Sequence, residues 1–190
     1  MSKLYFKYGT MGSSKSMDLL RTAYNYEQMN MNVLLIKPSI DIRDNNEIKS
    51  RIGISKECIL FNDNDNLFKL VETFNSSLKL NCILVDEVQF CTKEQIKELF
   101  NITKKLNIPV ICYGLRINYK GEGFEASKEL FILADKIEEI KTICECGKKA
   151  THHLLKINNK YIFSGESIHI GDKQFKAVCG TCWLKARGEV

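Results

Sequence analysis

No apolar run in this sequence approaches the roughly 20 residues that a membrane-spanning helix requires, so a helical membrane protein is excluded. The first nine residues, MSKLYFKYG, lack the apolar stretch and cleavage site of a secretory signal, and a cytoplasmic protein is expected. Internal repeats and low-complexity tracts are also missing. Charge of one sign is scarce. Lys and Arg total 28 against 23 Asp and Glu, a net +5 spread along the chain. With no basic–aromatic interleaving there is no stacking platform, so neither nucleic acid nor a membrane is expected as a partner. The modest positive balance suits a small anionic ligand such as ATP. What is present, 190 residues of which 44% are hydrophobic, fits one α/β domain with a small appendage.

Apolar patterning fills in that domain. Strands are expected at Lys3–Tyr8, Asn32–Lys37 (stopped by Pro38), Cys58–Phe61, Asn81–Asp86, Pro109–Leu115 and Lys136–Ile143. Between them, helical spacing covers about Lys15–Met29, Asn66–Leu78, a stretch with Ile96, Leu99, Thr103 and Leu106 on one face, and Ala126–Ala134. Thr92 with Gln95 forms a capping-box signature ahead of the third helix. Ser39–Lys56 is polar with little periodicity and reads as a long, mobile loop, a length often tied to function. Alternating strands and helices predict a mostly parallel sheet with helices on both faces. Residues 1–143 make this nucleotide-binding domain. Residues 144–190 form a separate small lobe and tail, with strand-like pieces at His153–Ile157 and Lys160–Ser164 and no convincing helix.

Gly9-Thr10-Met11-Gly12-Ser13-Ser14-Lys15-Ser16 lies between the first strand and the first helix. It follows the phosphate-loop pattern G-x-x-x-x-G-K-[ST], with Ser14 where Gly is usual. The chemistry needs amides aimed inward at a helix N-terminus, a Lys for the β- and γ-phosphates and a hydroxyl for Mg²⁺. Ile83-Leu-Val-Asp86-Glu87 is an apolar strand ending in two carboxylates, at the sheet edge where open α/β sheets bind ligands. Asp86 suits the Mg²⁺ shell, which leaves Glu87 to act on a substrate hydroxyl or a water. The fold class predicted is therefore α/β of the P-loop NTPase type with a C-terminal metal-stapled subdomain.

The eight cysteines divide evenly. Cys58, Cys82, Cys91 and Cys112 lie in or beside apolar segments and read as buried thiols. Cys144, Cys146, Cys179 and Cys182 form two tight pairs, and in a reducing compartment such pairs favour a closed tetrahedral Zn²⁺ site of structural role. Gly147 relieves the tight first turn. His152, His153 and His169 lie within the lobe and read as non-ligands.

Asp86-Glu-Val-Gln-Phe90, Tyr113-Gly-Leu-Arg116 with Phe124, Ala134-Asp-Lys-Ile-Glu-Glu-Ile140 and Cys146-Gly-Lys-Lys-Ala-Thr151 resemble, in order and spacing, the type II thymidine kinases. The resemblance runs from Leu4 to Trp183. It implies transfer of the γ-phosphoryl of ATP to the 5′-hydroxyl of deoxythymidine, with Glu87 as general base. It implies that Gly9 to Ser16, Asp41, Arg43, Asp86 and Gln89 serve ATP and Mg²⁺. Met11, Phe90, Leu115, Tyr119 and Phe124 would line the nucleoside pocket. Glu166, Ser167, Ile168, His169, Ile170 and Phe175 would form a lasso over the base, stapled by zinc. Tyr119 stands where Phe is common and Phe175 where Tyr is common. The resemblance also implies a homotetramer and feedback inhibition by deoxythymidine triphosphate. A P-loop ATPase acting on nucleic acid through a zinc ribbon is the first competing reading, and a non-enzymatic nucleotide-binding regulator with a decayed loop is the second. The scattered basic residues argue against the former, and the intact Lys15-Ser16 and Asp86-Glu87 pairs against the latter.

Overall fold

The computed structural model describes residues 1–41, 46–165 and 175–190. In chain order the elements are β1 (Leu4–Gly9), α1 (Lys15–Gln28), β2 (Val33–Pro38), β3 (Glu47–Lys49), β4 (Ser55–Glu57), β5 (Ile59–Phe61), α2 (Leu67–Ser77), β6 (Cys82–Val85), α3 (Lys93–Asn101), β7 (Val110–Leu115), α4 (Glu125–Leu133), β8 (Lys136–Ile140), β9 (His152–Ile157), β10 (Lys160–Ile162), β11 (Phe175–Val178) and α5 (Gly180–Arg187). Six strands form one parallel sheet in the order β5-β2-β6-β7-β1-β8. The expected α/β architecture is therefore present, with β1 lying inside the sheet between β7 and β8.

Alternation along β6 explains how both faces are covered. Ile83 and Val85 point into a core completed by Leu67 and Val71 of α2, Ile96 and Leu99 of α3, and Ala126 and Leu130 of α4. Cys82 and Leu84 point the other way, towards Leu19, Leu20 and Ala23 of α1. All four β6 residues are buried, as a strand covered on both faces requires. Side chains start the helices: Asn66 accepts from the Lys69 amide at 2.8 Å, and Thr92 and Gln95 make both bonds of the expected capping box.

The structure differs from the sequence expectation at three places. Part of Ser39–Lys56 is an antiparallel hairpin, β3–β4, and not an unstructured loop. Its strands have three residues each, too few to show a period, yet Ile48 is fully buried among the α1 residues. The third helix does not run regularly to Leu106. It widens into a π-turn at Ile102–Leu106, where the Thr103 hydroxyl donates to the Phe100 carbonyl, and ends at left-handed Asn107. The C-terminal lobe contains β11 and a helix, α5, neither of which was expected. The helix follows Cys179 at its N-cap and stops at Gly188 (φ 76°), and its apolar side is too short to signal in sequence.

The lobe's sheet is antiparallel, in the order β10-β9-β11. Asn158 and Asn159, with φ of 47° and 64°, turn β9 into β10, because Asn tolerates the left-handed region that a tight hairpin needs. No helix among the described residues is long and apolar enough to cross a membrane.

Candidate active site

β1 ends at Gly9 and α1 begins at Lys15, so the intervening loop lies against a helix N-terminus. A Cβ on Gly9 would lie 2.3 Å from Ser13 Oγ and 2.6 Å from the Ile140 carbonyl oxygen, which leaves room for glycine alone. Gly12 has φ 75°, and Ser14 has φ 63° and ψ 29°. The departure at Ser14 is thus conservative in shape: serine adopts the left-handed geometry that glycine adopts freely, at a cost of about 1–2 kcal/mol. Lys15 is buried, with Nζ donating to the Thr10 carbonyl at 2.8 Å. Thr10 Oγ1 and Ser13 Oγ are buried without a hydrogen-bond partner among the described residues. A loop with surplus donors behind a helix N-terminus suits an anion.

The carboxylate strand end meets this loop directly. Ser16 Oγ donates to Asp86 Oδ2 at 2.9 Å, and the Glu87 amide donates to Asp86 Oδ1 at 3.0 Å. Burial, followed by the neighbouring Glu87 charge, pushes Asp86 up to about 7 against the Ser16 hydrogen bond. A buried carboxylate beside a second one, with a serine hydroxyl at hand, is a hard oxygen donor set that a divalent cation such as Mg²⁺ fits. Glu87 is itself left-handed (φ 49°), which turns the chain sharply into the short helical turn Val88–Phe90. Gln89 Nε2 donates to Glu87 Oε2, and Gln89 Oε1 accepts from the Leu115 amide at 3.0 Å. Gln89 therefore fastens Glu87 to the end of β7. Gly114 permits this, because a Cβ there would lie 2.7 Å from Gln89 Oε1.

One cleft collects Met11, Lys15, Ser16, Asp86, Glu87 and Leu115. Asp41 also lines it, 3.6 Å from the ammonium of Lys37. Sequence reading missed Lys37. It sits in an apolar strand ahead of Pro38, and only its burial beside the cleft marks it. Arg43 lies outside the described residues.

The remaining expected nucleoside residues divide. Phe90 and Phe124 pack edge to face at 6.1 Å. Tyr119 is buried, its hydroxyl donating to the Ser164 carbonyl at 3.2 Å and its own carbonyl accepting from Trp183 Nε1 at 3.2 Å. Tyr119 thus joins the segment after β7 to the lobe. Phe175 stands on β11 opposite Leu155 in the lobe's sheet, and of the expected nucleoside residues described, Met11 and Leu115 line this cleft while Phe90, Tyr119, Phe124 and Phe175 lie outside its lining. Glu166, Ser167, Ile168, His169 and Ile170 lie outside the described residues.

A second residue missed by sequence reading is His153, on β9. It is buried, and Nδ1 accepts from the Met11 amide at 3.5 Å, so the lobe touches the Gly9–Ser16 loop. Burial first, then the Lys15 charge, pulls its pKa down to about 3, so the ring is neutral. Nothing in the sequence distinguishes it from the adjacent His152, which packs on Trp183 at 5.0 Å.

The four paired cysteines converge, as expected, with all four Sγ atoms within 4.8 Å of one another. Cys144 and Cys146 bracket a turn closed by Gly147 N to Cys144 O at 2.8 Å, with Gly147 at φ 83°. Cys179 caps α5 and Cys182 lies in its first turn. Tetrahedral zinc with Zn–S near 2.3 Å spaces its sulfurs at about 3.8 Å, and Cys146 and Cys179 are 3.5 Å apart. The cluster fits zinc. Cys58, Cys82, Cys91 and Cys112 are buried and far from it in sequence, and burial raises all four thiols.

Comparison with known proteins agrees with this geometry. The sequence model of the family described as thymidine kinase matches residues 2–183. The thymidine kinase of Francisella tularensis subsp. tularensis is 47% identical over 179 residues, covering 94% of this chain and 91% of that protein. The thymidine kinase of Haemophilus influenzae is 42% identical over 194 residues, covering both chains completely. That of Rhodopirellula baltica is 43% identical over 94% of this chain and 86% of its own. With the Gly9–Ser16 loop, the Asp86–Glu87 carboxylate pair and the cysteine cluster all inside the matched span, this chain belongs to the thymidine kinase family.

Proposed function

We propose that the protein transfers the γ-phosphoryl group of ATP to the 5′-hydroxyl of deoxythymidine. The observation that carries this reading is the convergence of Lys15, Ser16, Asp86 and Glu87 in one cleft beside Met11 and Leu115. Phosphoryl transfer calls for positioning and charge neutralisation more than for covalent help. Mg²⁺, when bound, would neutralise charge on the transferring phosphates, and Ser16 and Asp86 are the residues that would hold it. Lys15 donates to the Thr10 carbonyl within its own loop, and its side chain is long enough to reach a phosphate held there. Glu87 takes the proton of the 5′-hydroxyl, and Gln89 keeps its carboxylate oriented. Met11 and Leu115 in the cleft, with Phe90, Phe124 and Tyr119 beyond its lining, are assigned to the nucleoside pocket. Asp41 and Arg43 are assigned to the phosphate side. Residues 166–170 and Phe175 are assigned to the cover over the base. Excluding water there suppresses wasteful hydrolysis.

The assignment extends to a structural Zn²⁺ on Cys144, Cys146, Cys179 and Cys182, and to division of the chain into 1–143 and 144–190. It further extends to a cytoplasmic homotetramer inhibited by deoxythymidine triphosphate. Light scattering reads the tetramer, and a thymidine kinase assay titrated with deoxythymidine triphosphate reads the inhibition. The nucleic-acid-dependent ATPase reading is not favoured by the family membership.

The deciding experiment is phosphorylation across a nucleoside panel with Mg-ATP, repeated with Glu87→Gln. The variant keeps size and hydrogen bonding and loses basicity. A rate loss of about 10²- to 10⁴-fold is expected, with thymidine binding by calorimetry near normal. Full turnover, or loss of thymidine binding, rejects the role given to Glu87.

A further inference from the structure

The β3–β4 hairpin is attached to the nucleotide-binding sheet at three points. Ile48 is buried against Leu19, Leu20 and Ala23 of α1. Lys56 pairs with Glu27 near the end of the same helix. From the sheet itself, Lys37 donates to the carbonyl of Glu47, the first residue of β3, at 2.8 Å, with the Asp41 carboxylate 3.6 Å away. Lys37 is only 1% exposed. An ammonium is kept at such depth only where its protons are accepted and its charge is opposed. The carbonyl and Asp41 do both, so the start of the hairpin and one wall of the cleft share a single buried post.

The hairpin's turn is equally constrained. The Ser50 amide and hydroxyl both donate to the Ile54 carbonyl, at 2.8 and 3.0 Å, and Gly53 takes φ 90°. That turn carries Arg51 back over the phosphate loop. A Cβ built on Gly12 would lie 3.3 Å from Arg51 Nη1 and 3.8 Å from its Cζ, and both residues line the cleft. Gly12 is therefore required twice, for its left-handed backbone and for the guanidinium above it. A guanidinium is planar, permanently charged and matched to paired phosphate oxygens.

We propose that the β3–β4 hairpin is a fixed arm that brings Arg51 to the phosphates of the bound nucleotide, and that Lys37 is the positioning residue on which the arm rests. The proposal rests on the reading that the cleft takes ATP. Arg51 contacts the nucleotide. Lys37 acts only through the arm.

The test is calorimetric binding of Mg-ATP and, separately, of thymidine to the zinc-loaded full chain, alongside turnover. Arg51→Ala should weaken ATP binding roughly 10- to 100-fold, the range of a charge-assisted contact, and leave thymidine binding unchanged. Lys37→Met should weaken ATP binding in the same direction. The double variant should bind ATP no more weakly than Arg51→Ala alone, because the two act in series. Wild-type ATP affinity in Arg51→Ala overturns the arm, and additive losses overturn the role of Lys37. Arg51 is exposed at a turn, so its variant keeps the fold and decides the proposal even where Lys37→Met does not fold. A wild-type chain that binds ATP but phosphorylates no thymidine rejects the proposed reaction, while the Arg51 result still stands or falls on ATP binding.

Discussion

The parallel sheet and the C-terminal lobe of this protein are held together by different means. The sheet buries residues on both faces, and its larger core cluster runs from Leu4 to Leu130 with helices packed over it. The lobe's buried cluster is Cys144, Ala150, Leu154, Val178 and Cys179. Two of those five are thiols of the four-cysteine cluster, which leaves too little apolar surface to stabilise a lobe of this size alone. One region is therefore stable through what it hides from water, while the other has a cysteine cluster that could hold it together through a metal. The two meet where His153 reaches Met11 and where Trp183 and Ser164 bracket Tyr119.

The strongest way to break the comparison is to take away the metal. Purified protein should carry about one zinc per chain by elemental analysis. Chelation or Cys182→Ser should withdraw a binding free energy of about 10–16 kcal/mol from the lobe and leave the sheet folded. The protein's one tryptophan, Trp183, lies in the lobe between His152 and Arg187 and donates to the Tyr119 carbonyl, so its fluorescence reports the lobe and its junction with the sheet domain, while far-ultraviolet circular dichroism reports mainly the sheet. Unchanged Trp183 emission after complete metal removal would contradict the distinction.

Attacking the sheet instead should have the opposite pattern. Ile83→Ala empties a fully buried site at the centre of the larger core and should lower global stability by about 2–5 kcal/mol in denaturant melts. Zinc content should stay at the wild-type value under native conditions. Loss of metal in the folded variant would mean that the two regions are not separable.

Acid should act on the seam between them. His153 faces Lys15 of the phosphate loop, Arg116 after β7 and His152 on its own strand, and its folded pKa is near 3 against 6.5 in the unfolded chain. Between those values the unfolded chain binds the extra proton, so stability falls as pH falls, by up to about 1.4 kcal/mol per pH unit. Above 6.5 the group contributes no pH dependence. His153→Gln keeps an acceptor for the Met11 amide and should flatten that part of the stability–pH profile. A variant with the wild-type slope would locate the acid sensitivity elsewhere.

The smallest effect sharpens the phosphate loop itself. Ser14→Gly removes a left-handed non-glycine residue and should raise the melting point by the equivalent of about 1 kcal/mol, measured by calorimetry. Destabilisation would show that the serine side chain contributes more than its backbone costs.

The parts legible in the sequence are those whose signal is local. Gly9 to Ser16 is contiguous, β6 announces itself by four apolar residues before Asp86, and the cysteine pairs are close in the chain. Their convergence on one cleft and one cluster follows from the βα alternation. What escaped reading is set by contacts between distant residues. Lys37 acquires meaning only when Glu47 folds back over it, Arg51 only when a five-residue turn reverses it onto Gly12, and His153 only when β9 docks beside Met11. Strands of three residues leave no period, and α5 has no apolar stripe, so the hairpin and the last helix could not be read from pattern.

The position of β1 also governs when this protein can first work. The Gly9–Ser16 loop is synthesised long before its neighbours, because among the described strands β1 pairs with β7 and β8, which end at Leu115 and Ile140. At roughly 5–20 residues per second, the ribosome leaves that loop without its flanking strands for about 5–25 s. A nascent or stalled chain therefore cannot present the finished cleft, which becomes a property of the completed sheet, assembled only with the last parallel strand to emerge.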